Sequence, residues 1–130
     1  MKLLLDTPVF LWYISADARL PAAFKTAIQN PFNAIFLSVV SVWEAVIKYG
    51  LGKLPLPADP SSYLPTMRIA HGFASLPVEE RAMPRLAHLP AIHRDPFDRM
   101  LVAQALQHGL TMVTVDPNVL AYPVACLPAV

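Results

Sequence analysis

Short apolar runs alternate along the chain with longer segments in which apolar positions recur at helical spacing. Runs suited to buried strands lie at Lys2 to Leu5, Ala34 to Leu37, Phe73 to Leu76, Thr111 to Val115 and Val124 to Leu127. Between them the spacing predicts helices over Thr7 to Ser15, Pro21 to Gln29, Val39 to Tyr49, Pro60 to Ala70, Glu79 to Ala87 and Pro96 to His108. Gly50 and Gly109 stand where glycines stop helices. Trp12, Trp43 and the interleaved aliphatic residues read as core. Strands separated by helices return to the sheet through crossovers, so the sheet is mostly parallel and covered on both faces. The expected fold class is α/β, a three-layer α/β/α sandwich, with residues 1–130 forming one domain. The 14 prolines fall mostly at the joins between these segments, and no linker or repeat is visible.

In a sheet of this kind the carboxyl ends of the strands share an edge with the amino ends of the following helices, and ligands bind there. Four acids fall on that edge. Asp6 ends the first strand in LLLDTPVFLW, Glu44 lies in the first turns of the helix in SVVSVWEAVIKYGLGKL, Asp98 lies in the first turn of HRDPFDRMLVAQA, and Asp116 follows a strand in LTMVTVDPNVL. Carboxylates crowded into one crevice repel one another and require a counter-charge. A hard divalent cation, Mg²⁺ or Mn²⁺, prefers such oxygen ligands.

Each acid also has a purely structural reading. Asp6 and Asp116 can cap the helices that follow them, and Asp95 before Pro96 has the form of an N-cap and first helical residue, leaving its part in metal binding open. Glu44 can complete a capping box with Ser41 or pair with Lys48 one turn later. Glu79 and Glu80 open a helix, where acids suit the macrodipole, and Asp17 and Asp59 read as loop and cap residues. The case for the four rests on their joint placement.

Taken together, LLLDTPVFLW, SVVSVWEAVIKYGLGKL, HRDPFDRMLVAQAL and LTMVTVDPNVLAY resemble the PIN-domain ribonucleases, specifically the VapC-type toxins of bacterial toxin–antitoxin pairs. The resemblance spans nearly the whole chain, and HRDPFDRMLVAQA is its most specific piece. It implies an α/β/α sandwich in which Asp6, Glu44, Asp98 and Asp116 bind one or two Mg²⁺ or Mn²⁺ ions. It further implies endonucleolytic cleavage of RNA, a homodimer, and inhibition by a cognate antitoxin. Two positions depart from the pattern. Pro8 stands where many relatives have histidine, and Leu120 where an aromatic is common. Neither removes a carboxylate; both bear on substrate contacts beside Asp6 and Asp116.

Composition narrows the alternatives. Hydrophobic residues make up 55% of the chain and charged residues only 15%, a surplus that suits a dimer face, a partner groove, or both. A net charge of +1 excludes a strongly basic nucleic-acid coat. RNA phosphates would instead meet Lys48, Lys53, Arg94 and Arg99 near the acidic edge, with binding that weakens as salt rises. A single Cys126, an apolar start stopped by Asp6, and no lipid-spanning stretch fit a cytoplasmic protein without a membrane anchor. The four histidines show no ligand spacing, and His93 reads as a surface residue before Asp95. An aspartyl-nucleophile phosphatase would need a second Asp where Pro8 stands. A non-catalytic module that keeps the fold only to grip RNA or protein is the remaining alternative.

Overall fold

The computed structural model describes residues 1–130. Its elements follow in the order β1 (Lys2–Leu5), α1 (Thr7–Ile14), α2 (Ala22–Gln29), β2 (Ala34–Ser38), α3 (Val39–Gly50), α4 (Pro60–Ala70), β3 (Ala74–Leu76), α5 (Ala82–Ala87), α6 (Pro96–His108), β4 (Thr111–Val113) and α7 (Pro117–Leu120). The four strands form one parallel sheet in the order β3-β2-β1-β4.

Alternation along the strands divides the core into two layers. Leu3 and Leu5 of β1, Ile35 and Leu37 of β2 and Val113 of β4 face a cluster with Val9 and Phe10 of α1, Phe24 and Ile28 of α2 and Leu64 of α4. Leu4 and Met112 point to the opposite face, where they meet Leu101, Val102 and Ala105 of α6 and Val119 of α7. Successive side chains on a strand point to opposite sides, so one short LLL run supplies both layers. The three-layer α/β/α sandwich expected from the sequence is the observed architecture.

One rule places four of the helices. Asp6, Asp59, Asp95 and Asp116 each cap a helix through side-chain acceptance of a backbone N–H, and a proline in the first turn fixes φ where no intrahelical donor is needed. Strand order reverses beside β1: the chain winds outward through β2 and β3, then returns to place β4 on the other side of β1. The crevice beyond the ends of β1 and β4 is thus a topological switch point.

Several expected boundaries differ. Val124 to Leu127 is not a strand; it makes a single parallel bridge, Cys126 with Met112. Pro123 and Pro128 flank it without amide donors, and the Val124 N–H turns back to Tyr122 O. The last strand stops at Val113; beyond it the Thr114 hydroxyl binds Asp6 and the Asp116 N–H turns back onto that hydroxyl. Glu79 to Arg81 precede α5 rather than opening it. Gly50 lies inside α3, and the left-handed residue beyond that helix is Gly52 (φ +69°); Gly109 (φ +64°) ends α6 as expected. Trp43 is 54% exposed rather than core. It lies on the outer face of α3, where its ring stands edge to face with that of Phe97, the centroids 4.9 Å apart.

Candidate active site

Asp6 leaves the end of β1 with its backbone still paired, its N–H donating to Val113 O of β4 at 3.0 Å. Its side chain is buried. Oδ1 accepts from Thr7 N at 2.9 Å and caps α1, while Oδ2 accepts from Thr114 Oγ1 at 2.7 Å. The capping and site readings of Asp6 therefore hold together, since each carboxylate oxygen retains a second lone pair.

Glu44 is buried one and a half turns into α3, whose cap is Ser38 rather than Ser41, so no capping box forms. Its Oε1 stands 2.8 Å from Thr7 Oγ1, and Thr7 Oγ1 stands 2.8 Å from Ser41 Oγ. A carboxylate oxygen only accepts, so Thr7 gives its proton to Glu44 and accepts from Ser41. The Lys48 ammonium binds Oε2 of Glu44.

Asp98 is also buried, one turn inside α6, with its N–H on Asp95 Oδ1 at 3.2 Å. Its Oδ2 lies 3.1 Å from Nε2 of His93. Asp95 serves as the α6 cap. Asp116 is half-buried; Oδ1 accepts from Asn118 N at 2.9 Å to cap α7, and its own N–H donates to Thr114 Oγ1 at 3.1 Å. Glu79 lies apart, facing Gln107 and His108 on the surface.

The acids feel one another. Burial pushes the Asp6 carboxyl up to about 7; repulsion from Asp98 and Glu44 adds to the rise, against the Thr114 and Thr7 donors. Burial likewise lifts Asp98 to about 6, reinforced by Asp95, Glu44 and Asp116 and opposed by His93. For Lys48, burial pulls its pKa down, but the hydrogen bond and charge of Glu44, with Asp95 and Asp98, outweigh it and the net shift is upward. Asp6, Glu44 and Asp98 thus face one crevice, and Asp116 borders it beside Asp98.

No three His, Cys, Asp or Glu side chains stand close enough together to hold a metal ion among them. The chemistry of the donors, all carboxylate oxygens, is of the kind a hard divalent cation takes. Three buried carboxylates with raised or ion-paired character share one crevice, and the only cationic group seated on them is the ammonium of Lys48. An open arrangement of this kind suits a cation that keeps several of its waters and takes few carboxylates.

Of the cations expected near the edge, Lys48 is held by Glu44, and Lys53 and Arg94 are exposed. Arg99 is tied into the fold, its Nη1 donating to Pro90 O and to Tyr122 Oη, each at 2.9 Å. A cleft of about 520 Å³ opens beside Thr7, Glu44 and Lys48, walled by Leu11, Trp12 and Tyr63 among others. Sequence reasoning takes Ser41 for a capping-box partner of Glu44, misses Tyr122 altogether and reads His93 as a surface residue. The signal for Thr7 and Thr114 is adjacency to the acids in D-T and T-x-D, and for Ser41 its position one turn before Glu44; for Tyr122 there is none.

The fold and crevice define an α/β/α protein with an acidic site at the sheet's switch point. Its sequence matches the PIN domain over residues 3–124, and the chain belongs to that family. A curated relative, Ribonuclease VapC16 of Mycobacterium tuberculosis (strain ATCC 25618 / H37Rv), is 40% identical over 55 residues. That stretch is 42% of this chain and 39% of the relative, so the match spans well under half of that protein. Among solved structures, VapBC2 from Rickettsia felis bound to a DNA fragment from their promoter aligns over 98% of each chain with TM-score 0.69 and 17% identity. DNA-bound VapBC from Salmonella typhimurium gives TM-score 0.67 at 18% identity, covering 98% of this chain and 97% of that one. FitAcB from Neisseria gonorrhoeae gives 0.61 at 20%, with the same coverage. At these identities the likeness speaks for the fold.

Proposed function

We propose that residues 1–130 form a single nuclease domain that hydrolyses RNA phosphodiester bonds with a divalent cation and acts as the toxin of a toxin–antitoxin pair. The observation that carries this reading is the burial of Asp6, Glu44 and Asp98 around one crevice at the switch point, where their charges oppose one another. The name of the curated relative, Ribonuclease VapC16, supports the activity, and the VapBC likenesses support a bound antitoxin; the cytoplasmic setting stays the expectation read from the sequence.

Asp6, Glu44 and Asp98 would hold Mg²⁺ or Mn²⁺, with Asp116 completing the set or holding a second ion. When bound, such an ion supplies an activated water and neutralises charge on the phosphoryl group and leaving oxygen. The chain's own residues prepare the site. Thr114 and the Thr7 N–H fix the Asp6 carboxylate from two sides, and the Thr7 hydroxyl fixes Glu44. Lys48 balances charge on Glu44 and, as part of the lining of the adjoining cleft, would meet a substrate phosphate there. Lys53 and Arg94, both exposed, would contact the RNA backbone. Arg99 would act through the fold instead, given its two bonds to Pro90 and Tyr122.

The homodimer is supported by Val39, Trp43, Val46 and Ile47, which recur at helical spacing along the exposed face of α3. The direct test of activity is incubation of structured RNA with the protein and Mg²⁺ or Mn²⁺. Cutting that chelator stops and added metal restores agrees with the proposal; RNA binding without cutting would assign the chain to the non-catalytic alternative.

A further inference from the structure

The sequence leaves His93 without a role, and the mechanism above does not use Tyr122. The structure joins them into a chain that ends on Asp98. Arg99 Nη1 donates to Tyr122 Oη at 2.9 Å, Tyr122 Oη lies 2.7 Å from His93 Nδ1, and His93 Nε2 lies 3.1 Å from Asp98 Oδ2. The directions of these bonds follow from the groups. A nitrogen facing a carboxylate oxygen must carry the hydrogen, so Nε2 donates to Asp98. The Tyr122 hydroxyl already accepts from Arg99 and turns its own hydrogen to Nδ1. Every donor in the chain points toward the carboxylate.

Packing holds this chain in place. Tyr122 is buried, and its ring centroid lies 5.4 Å from that of His93. The Arg99 guanidinium sits 5.8 Å from the centre of the Tyr122 ring and also ties down the carbonyl of Pro90. Three separate segments meet here: the loop before α6, the first turns of α6, and the exit of α7. A lone carboxylate one turn into a helix would be free to rotate. Here one oxygen is claimed by His93, leaving Oδ1 for the crevice. Groups behind a metal-binding side chain that fix its orientation commonly matter nearly as much as the ligand itself.

We infer that His93, backed by Tyr122 and Arg99, is a positioning residue that locks the Asp98 carboxylate in its cation-binding orientation. This rests on the reading of Asp98 as a metal ligand. The test is Mn²⁺ titration by calorimetry on the full chain, with single-turnover RNA cleavage alongside and thermal unfolding as the folding control. His93→Phe keeps a ring but removes the donor, and should weaken Mn²⁺ binding roughly 10- to 100-fold. His93→Gln, which can present an amide N–H in place of Nε2, should recover most of that loss. Tyr122→Phe removes one hydroxyl and should cost about three- to tenfold in affinity.

Wild-type Mn²⁺ affinity in folded His93→Phe, alongside weak binding by Asp98→Asn, would overturn the positioning role while sparing the reading of Asp98. Equal weakening in His93→Phe and His93→Gln would also overturn it, because a restored N–H donor would then recover nothing. If Asp98→Asn itself binds Mn²⁺ normally, the reading of Asp98 as a ligand fails, and the inference with it.

Discussion

Thr114 Oγ1 donates to Asp6 Oδ2 at 2.7 Å, joining the ends of two neighbouring parallel strands that lie 108 residues apart in the chain. The same hydroxyl accepts from the N–H of Asp116, so one buried group orients one acid and anchors the backbone of a second. Thr114→Val keeps the shape and removes both bonds. We expect a stability loss of about 1–3 kcal/mol by urea denaturation, and cleavage reduced by about tenfold or more. Unchanged activity would show that Asp6 does not depend on this donor.

Acidity of the crevice gives the metal-free protein a pH dependence of definite sign. Folded Asp6 and Asp98 titrate near about 7 and about 6, both above the ordinary carboxyl value of 3.8. Between these limits the folded state holds more protons than the unfolded chain, so stability falls as pH rises through the window and levels off above it. Exposed Asp17, held down to about 2 by the hydrogen bond from Arg19, acts only below this range. In chelator, the urea midpoint should therefore fall from pH 5 to pH 8. Asp6→Asn should flatten the decline and raise the midpoint at pH 8; a midpoint of the wild type that climbs over this interval would contradict the assignment.

Ala16, just beyond α1, has φ +52°, in the left-handed region where a side chain is strained. The chain turns there from the helix toward the Asp17–Arg19 pair. Ala16→Gly relieves that strain at a natural helix-stop position and should stabilise the protein by roughly 0.5–1 kcal/mol, even after the entropy cost of glycine. Thermal unfolding checks this, and a lower midpoint would count against it.

Trp43 is the largest apolar group on the outer face of α3. If this face joins two copies, Trp43→Glu buries a charge against apolar surface and should shift the association equilibrium at least about 100-fold toward monomer. Light scattering over a concentration series measures the shift. A variant that stays dimeric would place the interface elsewhere.

The layered fold was legible because its strands are short apolar runs bounded by Asp-Pro and glycine punctuation, and because Asp caps mark several helix starts. The acids were legible for the same reason: a residue that ends a parallel strand or opens the next helix must lie on one edge. What escaped was what depends on neighbours. Val124 to Leu127 has the apolar content of a strand, yet flanking prolines leave it only a bridge. The α3 helix is apolar on several sides, so periodicity could not say that Trp43 faces outward. His93 and Tyr122 lie 29 residues apart in stretches without regular spacing, and only the folded chain brings them to Asp98. The sequence also suggested four acids gathered around an ion, whereas the folded chain brings no three of them close enough to hold one together.

The most direct measurement is the single-turnover rate at which Asp98→Asn cuts a structured RNA at saturating Mn²⁺, set beside its affinity for the same RNA. Loss of the carboxylate that faces Asp6 and Glu44 should slow cleavage by about a thousandfold or more while RNA affinity stays within about threefold. Cleavage within about tenfold of the wild-type rate would contradict a carboxylate-held metal as the source of the activity.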